Sequence, residues 1–256
     1  MIKDMASRLL LLVLTCIWTP VMAFQISFTG HAYTLDSETL VYSEQYTETY
    51  TSDREQLLSS NVEYVSQTGG RVATKRLDYR PNVYAPNFHF QNLQTGYEES
   101  LVWLQPGEVL ISSTDKRGKP KQKKLKLDVD AGQTYVADAG FDQYIRDNLT
   151  QLLNGENMEF RFLNPARLTW YRFQAVMIEK TSTLVEIEVR PRATLLRWLV
   201  EPIILTYNLN PERIPLGRLL TYEGLTNISF DNENYVNARI TYDYEFGKNQ
   251  PVALAF

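Results

Sequence analysis

Polar and apolar side chains alternate along most of the chain after residue 24. In the segment that ends at Tyr50, the residues Tyr42, Glu44, Tyr46 and Glu48 share a face with Tyr50, while serine, glutamine and threonine occupy the other. A period of two residues is typical of a β-strand. Because tyrosine and glutamate alternate on one face, this strand has no purely apolar side.

The same period returns in a series of short segments that are separated by turn signals. Gly69 and Gly70 stand between the alternating runs 62–66 and 71–79, which predicts a hairpin because glycine accepts the positive φ of a tight turn. Residues 237–246 alternate most cleanly and predict a strand with one buried side. In total the pattern predicts roughly ten strands joined mostly by short turns.

Helical spacing is clearest between residues 138 and 154. Apolar side chains recur there at intervals of three or four, at Phe141, Ile145, Leu149 and Leu152. Asp138 is placed to cap the start of such a helix, and Gly155 is placed to end it.

These elements predict a mainly β fold with a single antiparallel, strongly curved, half-barrel-like sheet packed around one main α-helix. The sequence contains neither an internal repeat nor a linker rich in proline, glycine and serine. We therefore expect one β-rich domain over residues 24–256.

Residues 1–23 have the pattern of a secretory signal peptide. Lys3 and Arg8 precede an apolar run over residues 9–17, and Val21 and Ala23 supply the small residues of a cleavage site. We expect export and cleavage, with an uncleaved anchor or lipidation at Cys16 as the alternatives. A bacterial periplasm is the expected compartment, because the exported chain would contain no disulfide.

The composition limits the kinds of catalytic site and binding partner that the exported chain could have. Cys16 is the only cysteine, so cleavage would remove thiol chemistry and thiolate metal sites. Loss of two basic residues and one acidic residue with the signal changes the net charge from −4 to −5, which disfavours a nucleic-acid partner. His31 and His89 have no neighbouring metal-ligand or nucleophile motif, and we expect no metal and no cofactor.

Aromatic residues suggest a binding cavity. A curved sheet covered by a single helix often leaves part of its concave side unfilled, and an apolar ligand cavity is then expected there. The residues predicted to line it are Trp103, Phe141, Ile145, Trp170, Phe173, Trp198 and Tyr222.

Asp138 and Asp142 are the best candidates for catalytic carboxylates. Their spacing of four residues at a helix start would suit a general acid and a general base. The simpler interpretation is that Asp138 caps the helix and Asp142 favours the positive end of its dipole.

The most basic segment runs over residues 116–124 and is predicted to be a hairpin loop. Such a segment could contact anionic lipid headgroups or an acidic partner. Its basic residues are Lys116, Arg117, Lys119, Lys121, Lys123 and Lys124.

Several local strings resemble a family of uncharacterised bacterial periplasmic β-rich proteins. They cover residues 70–79, 136–142 and 220–228, followed by Ile240-Thr241-Tyr242 near the end of the chain. The arrangement of strands and helix also resembles, more weakly, the lipoprotein-localisation carriers of Gram-negative bacteria. In those half-barrel proteins the cavity holds acyl chains, so the resemblance implies lipid or lipoprotein handling.

The leading hypothesis is therefore a periplasmic binding or carrier protein for a lipid-like or other apolar ligand. The first alternative is a hydrolase of envelope material that uses Asp138 and Asp142. The second is a small outer-membrane β-barrel, because Val252, Leu254 and Phe256 alternate at the end of the chain.

Overall fold

The computed structural model describes residues 22–53, 55–115, 117–129, 132–193, 201–210, 217–231, 235–244 and 251–253. Within these residues the chain is mainly β, as the alternating pattern predicts. Residues 1–21 lie outside this range, so the signal peptide and the export that it implies stay predictions.

The strands, in chain order, are β1 Met22–Thr34, β2 Leu40–Tyr50, β3 Leu57–Ser66, β4 Arg71–Asp78, β5 Asn87–Asn92, β6 Glu98–Gln105, β7 Glu108–Thr114, β8 Pro120–Lys126, β9 Tyr135–Val136, β10 Met158–Asn164, β11 Thr169–Lys180, β12 Leu184–Pro191, β13 Ile203–Asn208, β14 Leu219–Ser229, β15 Tyr235–Asp243 and β16 Pro251–Ala253. The helical elements are α1 Gly140–Asp147, α2 Leu149–Leu153 and a short 3-10 turn at Pro165–Arg167.

All of these strands belong to one sheet. Its order is β8-β7-β6-β5-β4-β3-β2-β1-β15-β14-β13-β12-β11-β10-β9, with β16 pairing β1. Neighbours are antiparallel except β9 and β10, which are parallel. Because β1 pairs with both β2 and β15, the first and last parts of the described chain meet in the middle of the sheet.

The two ends of the sheet overlap rather than pair edge to edge. The Ser113 hydroxyl on β7 donates to the Pro165 carbonyl oxygen at 3.1 Å, and Lys121 Nζ on β8 donates to the Ala166 carbonyl oxygen at 2.7 Å. Pro165 and Ala166 connect β10 to β11, at the opposite end of the strand order. The sheet is therefore strongly curved, as predicted.

Helix α1 lies on the concave face of this sheet. The Phe141 ring is 6.4 Å from that of Tyr222 on β14, and the Tyr144 ring is 5.3 Å from that of Phe160 on β10. Asp138, just before α1, bonds to Lys75 on β4. One short helical segment thus contacts strands that lie far apart in the sheet order, so the sheet wraps around it.

The helical region departs from the prediction in two ways. The helix predicted over residues 138–154 is divided at Asn148 into α1 and α2. Asp138 does not cap α1: Ala139 occupies the N-cap position, and Asp138 has a left-handed backbone with φ of 44°. Its Oδ1 accepts from the adjacent Ala139 N–H and from Lys75 Nζ instead.

Gly140 fixes how closely α1 approaches the loop between β4 and β5. A Cβ atom at this position would lie 2.0 Å from the Tyr84 carbonyl oxygen, well inside van der Waals contact. The same carbonyl accepts a hydrogen bond from the Ala137 N–H at 2.9 Å. Only glycine therefore allows the start of α1 to sit against this loop, and this packing places Asp138 beside the inner face of β4.

Candidate functional site

The tyrosine and glutamate face of β2 is the concave face of the sheet. Tyr42 is fully buried and Glu44 is 4% exposed. The Tyr46 hydroxyl donates to Glu44 Oε2 at 2.5 Å, and the Tyr50 hydroxyl donates to Glu48 Oε2 at 2.6 Å. Each glutamate is thus held by the tyrosine that follows it on the same face.

Glycine on the neighbouring strand makes room for the Glu44 carboxylate. Gly30 on β1 is paired with Glu44, and a Cβ atom there would lie 3.2 Å from Glu44 Oε2 and 3.0 Å from Tyr242 Cε1. A larger residue would press on both side chains. Gly30 therefore lets the carboxylate and the tyrosine ring lie side by side on the inner face.

Four charged residues form what we call the Glu44 cluster: Glu44, Lys75, Glu99 and Asp138. Lys75 Nζ donates to Asp138 Oδ1 at 2.8 Å, and the two side chains are only 10% and 8% exposed. Glu44 and Glu99 both interact electrostatically with Lys75 and Asp138. The cluster therefore contains three carboxyl groups and only one ammonium group.

This excess of carboxylates changes their protonation. Burial, and then the negative charge of Asp138, raises the pKa of Glu99 to about 7, against the opposing effects of the Tyr97 hydrogen bond and Lys75. Burial also raises the pKa of Glu44. An unpaired carboxylate in a desolvated site favours its neutral form. We therefore expect Glu99 to be partly protonated close to neutral pH.

A second group of charges, the Glu48 cluster, consists of Glu48, Asp142, Arg146 and Arg218. Arg218 Nη1 lies 3.2 Å from Glu48 Oε2, and its Nη2 donates to the Tyr50 hydroxyl at 3.0 Å. Arg146 Nη1 is 3.7 Å from Asp142 Oδ2. Here two arginines balance two carboxylates, in contrast to the Glu44 cluster.

Aromatic rings surround the two clusters on the concave face. Phe28 stacks on Tyr46 with ring centroids 4.4 Å apart, and Tyr242 meets both rings edge-on. Tyr46, Tyr222, Tyr242 and Phe141 all remain partly accessible although they lie on this face. We refer to the concave surface formed by these side chains, α1 and the Glu44 cluster as the inner chamber.

The structure brings together two of the residues predicted to line a cavity. The Phe141 ring contacts the Tyr222 ring at the inner chamber, with centroids 6.4 Å apart. Ile145, one turn further along α1, is fully buried in the core between α1 and the sheet. The helix therefore presents one predicted residue to the chamber and packs the other beneath it.

The other predicted cavity residues lie elsewhere. Trp103 donates from Nε1 to the Ala85 carbonyl oxygen at 2.6 Å. Phe173 packs against Phe160, with ring centroids 6.1 Å apart. Trp170 meets the Tyr135 ring edge-on at 6.4 Å, and the Arg161 guanidinium lies over the Trp170 ring at 4.5 Å. Trp198 lies outside the described residues.

The predicted basic loop is largely a strand. Pro120–Lys126 forms β8, the outermost strand at its end of the sheet, so Lys121, Lys123 and Lys124 belong to a strand rather than to a loop. Lysines are frequent on edge strands because they discourage further pairing. Arg117 and Lys119 lie in the turn before β8, and Lys116 is not among the residues that the structure describes.

Sequence reasoning missed the charged residues of the inner chamber, above all Lys75, Glu99 and Arg218. The one local signal was the alternation of tyrosine and glutamate on β2. That pattern indicates a strand whose charged face is not exposed to solvent. In the structure this face lies on the concave side of the sheet.

The hydrolase alternative stays a prediction. The Asp138 carboxylate forms an ion pair with Lys75 instead of capping the helix. Burial raises the pKa of Asp142, although the nearby Arg146 opposes this effect. Among the residues that the structure describes, no three histidine, cysteine, aspartate or glutamate side chains are grouped to hold a metal ion.

Comparison with known proteins gives a likeness of fold only. No protein-family model matches the chain, and no curated protein matches it. A β-barrel-like protein of the domain of unknown function DUF1849 from Brucella abortus has a crystal structure that is similar at 7% identity, with a TM-score of 0.49 over 91% of this chain and 99% of that chain. The resemblance to lipoprotein-localisation carriers is not confirmed. Helices long and apolar enough to cross a membrane do not occur in the described part of the chain.

Proposed function

We propose that the protein is a periplasmic binding or carrier protein that holds a lipid-like, amphiphilic ligand in the inner chamber. The observation that carries this proposal is the partly accessible aromatic surface on the concave face, beneath α1. Apolar surface of this kind, with a few polar groups at one place, is typical of ligand pockets.

The arrangement of the chamber suits a ligand with two unlike ends. Tyr46, Phe141 and Tyr222, which remain partly accessible, offer ring surface against which an acyl or alkyl chain would pack. The Glu44 cluster supplies the polar groups on the same face. A ligand with an apolar tail and a polar end would satisfy both regions at once.

The ligand test uses an uncharged fluorescent amphiphile, an acylated dialkylamino-naphthalene, whose emission shifts when it leaves water. We expect saturable binding by the full chain, and about fivefold weaker binding by Phe141→Ala and by Tyr222→Ala, because each change removes ring contacts with the probe. Native mass spectrometry of protein purified from cells would detect a bound lipid independently.

Phe230→Ala is the matched control, since Phe230 is 40% exposed and does not line the chamber. It is expected to bind the probe as the natural protein does. Absence of saturable binding together with absence of any co-purified lipid would refute the carrier proposal.

We propose further that the basic segment 117–124 contacts anionic membrane surfaces. Three exposed lysines, Lys119, Lys123 and Lys124, lie on or beside β8 in a chain whose net charge is negative. Each lysine near an anionic surface contributes on the order of 1 kcal/mol, and salt weakens the attraction. Such a contact would bring a carrier close to the source or destination of its ligand.

Vesicle sedimentation tests this contact. We expect binding to vesicles with phosphatidylglycerol, weaker binding in high salt and none to pure phosphatidylcholine, with loss of binding when Lys119, Lys123 and Lys124 are changed together to glutamate. The control changes Arg71, Arg76 and Lys180, three exposed basic residues elsewhere, to glutamate. Equal loss in both triple variants would mean that net charge, and not this segment, determines binding.

A further inference from the structure

Three arginines lie opposite one another on neighbouring strands near the β9 end of the sheet. Arg161 on β10 is paired with Arg172 on β11, and the Arg192 N–H, just after β12, donates to the Arg172 carbonyl oxygen at 2.9 Å. Phe160 and Phe173, which alternate with these arginines along the strands, pack together on the side of α1. The arginine row therefore lies on the outer face, and like charges placed directly opposite destabilise a sheet.

Acidic side chains on this face neutralise only some of its arginines. Arg192 Nη1 lies 2.5 Å from Glu159 Oε2, and Arg190 Nη1 on β12 lies 2.5 Å from Glu188 Oε1. Each of these two pairs contains one positive and one negative charge. They leave Arg161 and Arg172 without a carboxylate partner in the part of the chain that the structure describes.

These two arginines have different surroundings. Arg161 Nη1 donates to the Tyr135 hydroxyl at 2.5 Å, and its guanidinium lies over the Trp170 ring at 4.5 Å. Arg172 is exposed, and its guanidinium forms neither an ion pair nor a hydrogen bond with any described residue. Arg161 thus holds the Trp170 ring and adds positive charge, whereas all the donors of Arg172 are available to a ligand.

An open groove of about 370 Å³ lies along this row. It is lined by Trp170, Tyr171, Arg172, Arg192 and Ala193. The planar guanidinium group binds two oxygens of a phosphate or carboxylate at once, and such charge-assisted bonds are stronger than neutral ones. The groove therefore combines an available anion-binding group with an aromatic wall, on the face of β10 and β11 that is opposite the inner chamber.

We propose that this groove is a second binding site, which takes the phosphate monoester group of a ligand. Arg172 is its main donor, Arg192 is a second donor, and Trp170 contacts the remainder of the ligand. A phosphate monoester carries between one and two negative charges at neutral pH, which matches the two arginines that lack a carboxylate. The inference is independent of the carrier proposal, because the groove and the inner chamber lie on opposite faces of the sheet.

The experiment varies the molecule that bears the phosphate. Glycerol 3-phosphate, glycerol and dihexanoyl phosphatidic acid, the last below the concentration at which it forms micelles, are titrated into the full chain by calorimetry. We expect both phosphates to bind and glycerol not to bind. Tighter binding of the phosphatidic acid would assign the site to a lipid headgroup, and equal or weaker binding would assign it to a soluble phosphate.

Arg172→Gln is expected to weaken binding of both phosphates roughly tenfold, and Arg172→Lys to restore only part of the loss, because an ammonium group cannot form two parallel bonds. The matched control is Arg76→Gln, which removes an exposed arginine on β4 and should bind as the natural protein does. Failure of both phosphates to bind, or unchanged affinity in Arg172→Gln, would overturn the inference. Neither result bears on the carrier proposal, whose probe is uncharged.

Discussion

Replacing Lys75 by methionine is expected to lower the free energy of unfolding by about 3 kcal/mol at pH 8. The change keeps most of the side-chain volume but leaves the buried carboxylate of Asp138 without its ammonium partner, beside Glu44 and Glu99. Breaking a buried ion pair costs more than the pair contributes, because the remaining charge is neither solvated nor paired. Urea unfolding followed by circular dichroism at pH 8 measures the difference.

The loss should be smaller at pH 5, where Glu99, whose pKa burial and then Asp138 raise to about 7, accepts a proton and ceases to repel its neighbours. Lys124→Met, an exposed lysine on β8, is the control and should change the stability little at either pH. The double variant Lys75→Met/Asp138→Asn should be more stable than the sum of the two single effects implies. An unchanged stability of Lys75→Met at pH 8 would show that the ion pair contributes nothing.

The sheet was predictable because most of its strands follow one simple rule. Where one face is apolar, as at Ala238 and Ile240 on β15, alternation identifies both the strand and its buried side. On β2 the alternation predicts the strand but not its buried side, because the face that carries the charged residues lies on the inside of the sheet. A pattern of hydrophobicity assigns glutamate to solvent, whereas here Glu44 is buried, bonded to the Tyr46 hydroxyl and beside Gly30 of the neighbouring strand.

The charged pairs of the chamber could not be predicted from the local sequence for the same reason. Lys75 stands next to Arg76, another basic residue, but lies on the buried face of β4 whereas Arg76 is exposed. Its partner Asp138 is 63 residues further along the chain. Nothing near either residue indicates the other, because curvature of the whole sheet brings α1 to the inner face of β4.

The error at Asp138 has a specific cause. Aspartate before a run of helical spacing normally caps the helix through its own side chain. Here the tertiary contact with Lys75 competes for the carboxylate, and the left-handed backbone at Asp138 moves the cap position to Ala139. A buried carboxylate that lost its ammonium partner would be strongly destabilising, so the contact with Lys75 determines the local geometry.

Stability of the natural protein is expected to fall as the pH rises from 5 to 8, and Glu99→Gln is expected to remove much of that fall. The pKa of Glu99 is raised to about 7, chiefly by burial and then by Asp138, from an ordinary value of 4.5. The folded chain therefore binds this proton more tightly than the unfolded chain, so the stabilisation is complete below about pH 4.5 and is lost as the pH passes 7. The expected difference is on the order of 2 kcal/mol.

Glu98→Gln separates this effect from a general change of charge, since Glu98 precedes Glu99 but lies on the other face of β6, where it bonds to Gln91. Asp53 and Asp78 have lowered pKa values, so their contribution to stability disappears only at more acidic pH and does not overlap this range. Glu44, whose pKa is also raised by burial, should leave a residual slope in Glu99→Gln. If the stabilities of the natural protein and Glu99→Gln change in parallel between pH 5 and 8, Glu99 is ionised over this whole range. The structure would then accommodate the three carboxylates of the Glu44 cluster without a bound proton on Glu99.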